Sequence, residues 1–546
     1  GEAPADHRFF GMADALVQAR ADAHERYAIQ WLRMLREWLM QAPDQLALRK
    51  RELRVVSFDD LLGNIARALN QHPDLAEALR ERYPCALIDE FQDTDPLQFD
   101  IFSAVYGRRE TAASNVGRGP MFMVGDPKQA IYGFRAADLH TYLAARENAD
   151  AAYTLAVNQR STPAIIEAGN RLFGANDRAF VLDGLEYPPV RPGARQRAPF
   201  TDAREVADFT VWWLPDDDEP LSKDDAQQAC ARATAAEVAR LLAGAARGDV
   251  RVGERPLAPG DIAVIVQTHR QGALMKSMLA EHAVGSVELT QDSVFASDEA
   301  QTLLRVLRAV ESPGDVRALR AALATELFGL DATALYRMQT SEASDAEAIA
   351  WIERLQRYRQ LWIDRGFSAM WRTLMRELGL AARLVAQAGG ERRLTNFMHL
   401  AELAQARWAE QPGMPALLRW LASQRNASGG EDAQLRLESD QNLVQIVTVH
   451  KSKGLEYGVV FCPFLWDGAV RDGGRLDGLE YHDGSTAVID FTDAAGKGSP
   501  AAAALRQEQS AEQARLLYVA LTRAVYRCYL AAGIYASRRS VKEACG

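Results

Sequence analysis

Leu87-Ile-Asp-Glu-Phe-Gln-Asp-Thr-Asp95 decides how this chain is read. The apolar run Cys85-Ala-Leu-Ile88 ends in two adjacent carboxylates, Asp89 and Glu90. A buried parallel strand that delivers acids at its C-terminal end is where doubly wound sheets place their ligand chemistry. Nucleotide hydrolysis needs one carboxylate to hold Mg²⁺ and another to orient or deprotonate the attacking water. Adjacent acids at a strand end can divide those two roles. An isolated Asp-Glu pair is an ordinary solvated turn, so the rest of the chain has to decide.

Downstream, a second apolar strand, Met121-Phe-Met-Val124, runs into Gly125-Asp-Pro-Lys-Gln129. A third candidate strand, Tyr153-Thr-Leu-Ala-Val157, precedes Asn158-Gln-Arg-Ser-Thr-Pro163, with a helix expected from Ala164 to Phe173. Upstream, residues 1 to about 55 carry apolar positions near helical spacing, and Ser57 followed by Asp60 reads as a capped helix start. Pro215-Asp-Asp-Asp-Glu-Pro220 is an acidic connection. Pro259-Gly-Asp-Ile-Ala-Val-Ile-Val266 is a turn and a strand that ends at Gln267-Thr-His-Arg270.

From about Asp298 to Arg425 strand runs disappear, and Leu303, Leu304, Val306, Leu307 and Val310 show helical spacing. Asn426-Ala-Ser-Gly-Gly-Glu-Asp432 reads as an exit linker. Strands resume at Val444-Gln-Ile-Val-Thr-Val449 and Gly458-Val-Val-Phe461, and a last helix is expected from Ala511 to about Thr522. The pattern is α/β with a mainly helical insertion.

At 546 residues the chain exceeds one core, and about three or four domains are expected. Its 48% hydrophobic and 25% charged content is that of a soluble globular protein, and it shows no membrane-length apolar run and no signal peptide. Five scattered cysteines without a Cys-x-x-Cys pair argue for a reducing compartment and against a disulfide framework or a zinc site. A net charge of −10, taken alone, counts against a generic basic nucleic-acid coat. A local groove built on stacking surfaces stays open.

Five ordered blocks, Leu87 to Asp95, Val124 to Asp138, Asn158 to Pro163, Val447 to Tyr457 and Leu516 to Ala524, together resemble the motor motifs of superfamily 1 DNA helicases of the UvrD/Rep type. Leu87 to Gln98 and Gly125-Asp-Pro-Lys-Gln-Ala-Ile-Tyr-Gly-Phe-Arg135 look like the RecB branch, with the AddA-type helicase-nucleases a nearby alternative. The resemblance implies two RecA-like parallel-sheet motor domains, the first incomplete, with a helical inserted domain. On that basis 1–55 is a remnant of an insert and 56–150 the end of the first motor domain. Residues 151–290 and 436–546 form the second motor domain, interrupted by the helical domain at 291–435.

The resemblance also implies ATP and Mg²⁺ as cofactors. Asp89 would bind the metal, Glu90 position the water, and Gln129 sense the γ-phosphate. Arg160 and Arg523 would be arginine fingers, with Gly454 and Glu456 at the nucleotide pocket. Tyr132 and Phe134 would stack on bases beside Arg135, Thr448 and His450 would contact the DNA backbone, and Thr268 and Arg270 are further phosphate contacts. It further implies 3′-to-5′ travel, single-stranded and duplex DNA ends as partners, RecC-like and RecD-like subunits, no membrane, and the bacterial cytoplasm.

The chain departs from this pattern in three places. No Gly-x-x-x-x-Gly-Lys-[Ser/Thr] phosphate loop occurs; Gly496-Lys-Gly-Ser499 has no Ser/Thr directly after its lysine and reads as a loop. Gln159 replaces the aromatic residue usual before the arginine, and Ala136 replaces a glycine. The expectation is therefore a motor fragment, inactive alone, without a nuclease carboxylate cluster. The competing expectation is a catalytically silent, helicase-like scaffold for DNA or protein.

Overall fold

The computed structural model describes residues 8–107, 119–133, 137–214, 220–288, 293–330, 332–340, 344–387, 390–424, 442–468, 478–484, 486–491, 498–537 and 540–543. The chain divides into two compact units, Gly1–Ser286 with Val444–Gly546, and Val287–Leu443.

The first unit opens with α1 (Arg8–Leu53), in which no described residue is buried. α2 (Phe58–Gln71) starts at Ser57, whose backbone N–H donates to Asp60 in a capping box. Lys50 pairs with the same carboxylate at 2.8 Å. After α3 (Pro73–Arg82) comes β1 (Ala86–Ile88), then α4 (Pro96–Tyr106), β2 (Met121–Met123) and α5 (Leu139–Glu147). β1 and β2 pair in parallel, Ile88 opposite Met123, so both deliver their following loops to one edge. This small sheet is poorly covered: Leu87 is 80% exposed and Phe122 57%.

The expected strand at Tyr153-Thr-Leu-Ala-Val157 shrinks to β3 (Val157–Asn158), paired with β4 (Arg191–Pro192) after α6 (Pro163–Gly174). Tyr153 and Leu155 are 92% and 87% exposed. With no apolar neighbour to bury them, alternation alone does not make a strand. β5 (Phe200–Asp202) and β6 (Phe209–Trp213) precede α7 (Lys223–Arg247), and β7 (Val250–Val252) and β8 (Arg255–Pro256) lead to β9 (Ile262–Val266), α8 (His269–Glu281) and β10 (Ser286–Glu288). Residues 215–219 and 426–432, the expected acidic loop and exit linker, lie outside the described residues, except Pro220.

Among the described residues, eight helices lie between Asp298 and Gln424 in the second unit, from α9 (Asp298–Glu311) to α16 (Met414–Gln424). α9 buries Leu303, Leu304, Val306, Leu307 and Val310, the positions whose spacing predicts it. They belong to a core that also holds Trp362, Phe367 and Phe397.

The first unit resumes with β11 (Val444–Thr448), α17 (Val449–Ser452), β12 (Tyr457–Cys462), the hairpin β13 (Leu479–Asp483) and β14 (Thr486–Asp490), α18 (Pro500–Leu521) and β15 (Ala524–Ala532). A six-stranded sheet has the order β10-β11-β9-β12-β15-β6, with β9 parallel to β11 and β12, and β15 parallel to β12 and β6. All five β9 residues are buried, as a central parallel strand requires. Phe461 and Tyr529 stack at 4.5 Å on neighbouring strands. α18 begins at Pro500, well before the expected Ala511, because Ser499 caps it and Pro500 occupies its first turn. Among the described residues, no helix is long and apolar enough to cross a membrane.

Candidate active site

The two strand-end loops of the small sheet are bonded together before anything else reaches them. Val124 N–H donates to Ile88 O at 2.8 Å and Phe91 N–H to Val124 O at 2.9 Å, extending the ladder beyond the strands. Glu90 then takes a left-handed conformation, φ 51°, and its N–H donates to Asp89 Oδ1. The chain turns sharply there and sets the two acids apart. Buried Gln92 bridges the loops: its amide N–H donates to Glu90 and its carbonyl accepts from Asp126 N–H at 2.9 Å. A side chain at Gly125 would meet that carbonyl at 2.5 Å, so the close approach requires glycine.

Asp126 organises the second loop. It accepts from Lys128 Nζ at 2.7 Å, Gln129 Nε2 at 3.1 Å and the Tyr518 hydroxyl at 3.2 Å. Asp89, Glu90 and Asp93 line one side of a cleft of about 550 Å³, with Leu62 and Ile65 of α2 and Ile101 and Phe102 of α4 among its other walls.

The six-stranded sheet reaches these acids through the segment after β11. Lys453 is nearly buried, its side chain 6% exposed. Its Nζ lies 2.5 Å from Asp93 Oδ2, 2.9 Å from Gln129 O and 3.8 Å from Glu90 Oε2, and 4.9 Å from the Tyr132 ring centre. Burial pushes the Asp93 carboxyl above its ordinary range, more than Lys453 pulls it down. The Tyr132 hydroxyl donates to His450 O at 2.9 Å. Gly454 follows at φ 81°.

α18 and β15 supply the arginine side. Arg515 Nε donates to Ala130 O at 2.7 Å. Arg523 is 1% exposed, and its nitrogens donate to Val519 O, Leu455 O and Thr522 Oγ1. Its pKa falls to about 10, first through burial and then through repulsion by Arg160; Tyr518, Glu90 and Asp126 oppose the fall. Arg160 is set by Asn158, whose side chain accepts from its N–H at 2.8 Å. A terminal nitrogen donates to Thr522 O at 3.2 Å, while Nε has no hydrogen-bond acceptor among the described residues and stands 3.5 Å from Glu456. Glu456 is shared with Arg197 at 3.3 Å, and Glu90 and Asp126 lie within electrostatic reach of Arg523, so arginines and acids face one another here.

The structure therefore brings Glu90, Gln129, Lys453, Arg160 and Arg523 into one connected neighbourhood. Thr448 ends β11, and the His450 ring centre is 6.0 Å from that of Tyr132. Thr268 is occupied as the cap of α8, and exposed Arg270 pairs with Asp224 at 3.4 Å. Phe134 and Arg135 lie outside the described residues. Gln159 accepts from Arg195 N–H at 3.3 Å. Nothing in local spacing marks Gln92, Asp126, Arg515 or Tyr518, and Lys453 stands out only by adjoining Gly454 and Glu456.

Lys453→Met leaves the half-buried Asp93 without its cation, and removing one partner of such a hydrogen-bonded pair costs about 1–3 kcal/mol. We expect that loss in urea unfolding at neutral pH. Because burial raises the Asp93 pKa, its ionised form is the strained one, and the loss should shrink as pH falls and Asp93 takes up a proton. A variant as stable as the parent at neutral pH would refute this tether.

The family model of the UvrD/REP helicase N-terminal domain matches residues 18–150, and that of the UvrD-like helicase C-terminal domain matches residues 153–533. The chain belongs to the UvrD-like helicase family. Among its relatives are RecBCD enzyme subunit RecB of Escherichia coli (strain K12), 37% identical over 100% of this chain and 45% of that protein, and of Haemophilus influenzae, 36% identical over 86% and 38%. The same subunit of Mycobacterium tuberculosis is 34% identical over 88% of this chain and 43% of its own length. The chain thus spans less than half the length of these curated relatives.

Proposed function

We propose that these residues are the motor portion of a RecB-like, ATP-dependent 3′-to-5′ DNA helicase subunit that acts on DNA ends in double-strand-break repair and recombination. The single observation that carries this reading is the neighbourhood in which Lys453, Arg160 and Arg523 meet the loops of Asp89, Glu90 and Gln129. Asp89, at a strand end on an open cleft, suits Mg²⁺, a hard cation that takes oxygen ligands. When bound, Mg²⁺ and ATP supply the phosphoryl group and neutralise its charge. Glu90 would orient water, Gln129 would report the terminal phosphate through Asp126, and Arg160 and Arg523 would meet developing charge.

Closure on a nucleotide would pull the Lys453 and His450 segment with it, shifting Thr448 and His450 relative to Tyr132 and its neighbours. Tyr132 is already held by Lys453 and His450, which favours Phe134 as the stacking ring and leaves Arg135 beside it for phosphate. RecC-like and RecD-like partner subunits and a cytoplasmic setting belong to this proposal, which the likeness to RecBCD subunits supports. The RecB relatives favour this branch over the AddA type.

A silent scaffold is the second reading, favoured by the occupied nitrogens of Arg523. ATP hydrolysis with and without single-stranded DNA separates the two. We expect negligible turnover from these residues alone, and strongly stimulated turnover from a protein that also carries the phosphate loop. No turnover in the longer protein would sink the motor reading; robust unwinding by the 546 residues alone would sink the need for that loop.

A further inference from the structure

His140 in α5, His482 in β13 and Glu508 in α18 come together, with Arg515 within electrostatic reach. One ligand atom from each lies within 4.8 Å of the others. The two imidazole centres are 4.3 Å apart. Glu508 accepts from His482 N–H at 2.7 Å, and its other oxygen lies 3.2 Å from His482 Nδ1. Asp138 stands 3.5 Å from His482 Nε2 and also accepts from the His140 N–H at 2.9 Å.

Two imidazoles and one carboxylate are a donor set for a borderline divalent cation, whereas Mg²⁺ and Ca²⁺ take oxygen ligands. A metal-bound histidine typically gives its second ring N–H to a carboxylate, which fixes its tautomer. Asp138 is placed for that on His482. The scarcity of paired cysteines speaks only against a thiolate site. A set drawn from three distant segments leaves no spacing signature.

We propose that His140, His482 and Glu508 form a Zn²⁺ site, with Asp138 as the positioning carboxylate and one coordination place left for water. Zn–N and Zn–O bonds near 2.0–2.1 Å put tetrahedral ligands about 3.3 Å apart; His482 Nδ1 and Glu508, 3.2 Å apart, already have that spacing, and the separations to His140, within 4.8 Å, close by up to about 1.5 Å on binding. The clamp fastens α5 to the β13–β14 hairpin and to α18. It joins the acid loop through Asp138 N–H, which donates to Thr94 O at 3.3 Å, and joins the arginine side through α18 itself. Zn²⁺ would therefore restrain movement between the β1–β2 sheet and the six-stranded sheet.

The test uses the metal-free 546-residue chain, titrated with Zn²⁺ against a chromophoric chelator and with Co²⁺ as a spectroscopic probe. One equivalent of Zn²⁺ is expected, with visible Co²⁺ bands of a tetrahedral nitrogen–oxygen site. His140→Ala and His482→Gln should each weaken binding about 100-fold or more, and Asp138→Asn, which keeps the helix cap, about 10-fold. His282→Ala should leave it unchanged. Melting of each metal-free variant checks its fold. If a histidine variant unfolds, Glu508→Gln serves in its place, with loss of the Zn²⁺-induced rise in wild-type Tm as the readout. No binding by the parent, or equal binding by the folded His140→Ala/His482→Gln double variant, overturns the site. Neither result touches the motor reading, since no step here uses ATP.

Discussion

Arg160→Ala, in a protein that carries the phosphate loop, is expected to lower kcat for ATP hydrolysis about 10³-fold or more while nucleotide affinity changes little. An arginine finger contributes 10³–10⁵ by meeting charge that develops only in the transition state. Arg160 suits this role better than Arg523. Its Nε–H lacks an acceptor among the described residues, whereas the nitrogens of Arg523 already serve backbone carbonyls and Thr522. Burial lowers the Arg523 pKa to about 10 and repulsion by Arg160 adds to the fall; an entering polyanion relieves that repulsion. Arg160→Lys keeps the charge but loses the planar fork, so it should recover only part of the rate. Single-turnover hydrolysis decides the matter: a kcat within threefold of the parent, at unchanged affinity, would remove Arg160 from the chemistry.

What was legible in the sequence and what was not divides by the range of the interaction. Apolar runs that end in polar loops mark β9, β11 and β12, because burial on both faces of a parallel strand writes itself into consecutive residues; β1 and β2 carry the same kind of run although Leu87 and Phe122 are largely exposed. The leucine and valine spacing of α9 is local in the same way. Tyr153 and Leu155 misled because apolar character predicts a strand only where something covers it. The early start of α18 was written in Ser499 and Pro500, yet the surrounding glycine and alanine made them look like loop.

The contacts that assemble the site have no such local trace. Lys453 and Asp93 are 360 residues apart, and Arg515 reaches Ala130 across 385. Only the family resemblance placed Arg160 and Arg523 beside the acids in advance, and it singled out neither Gln92 nor Asp126. Both are explained by the fold. Two adjacent loops with opposed polar groups need a side chain that donates to one and accepts from the other, and a buried glutamine amide does both.

Glu90→Gln should cut turnover by about 10²–10⁴, the usual contribution of a positioned general base, with nucleotide affinity preserved. The substitution is nearly isosteric. The amide oxygen can still accept from Gln92, so the loop and its left-handed turn are retained while the carboxylate's basicity is lost. The half-exposed Glu90 side chain stands 3.8 Å from Lys453, whose closer partner is Asp93, and this leaves the glutamate available to water. Asp89→Asn should fail differently, through weaker Mg²⁺-dependent nucleotide binding, because its role is ligation. Equilibrium binding of a labelled nucleotide beside steady-state hydrolysis separates the two effects. Normal turnover in Glu90→Gln would transfer the base to another residue. Lost binding in that variant would make Glu90 part of the cradle, and the division of labour between the adjacent acids would fall with it.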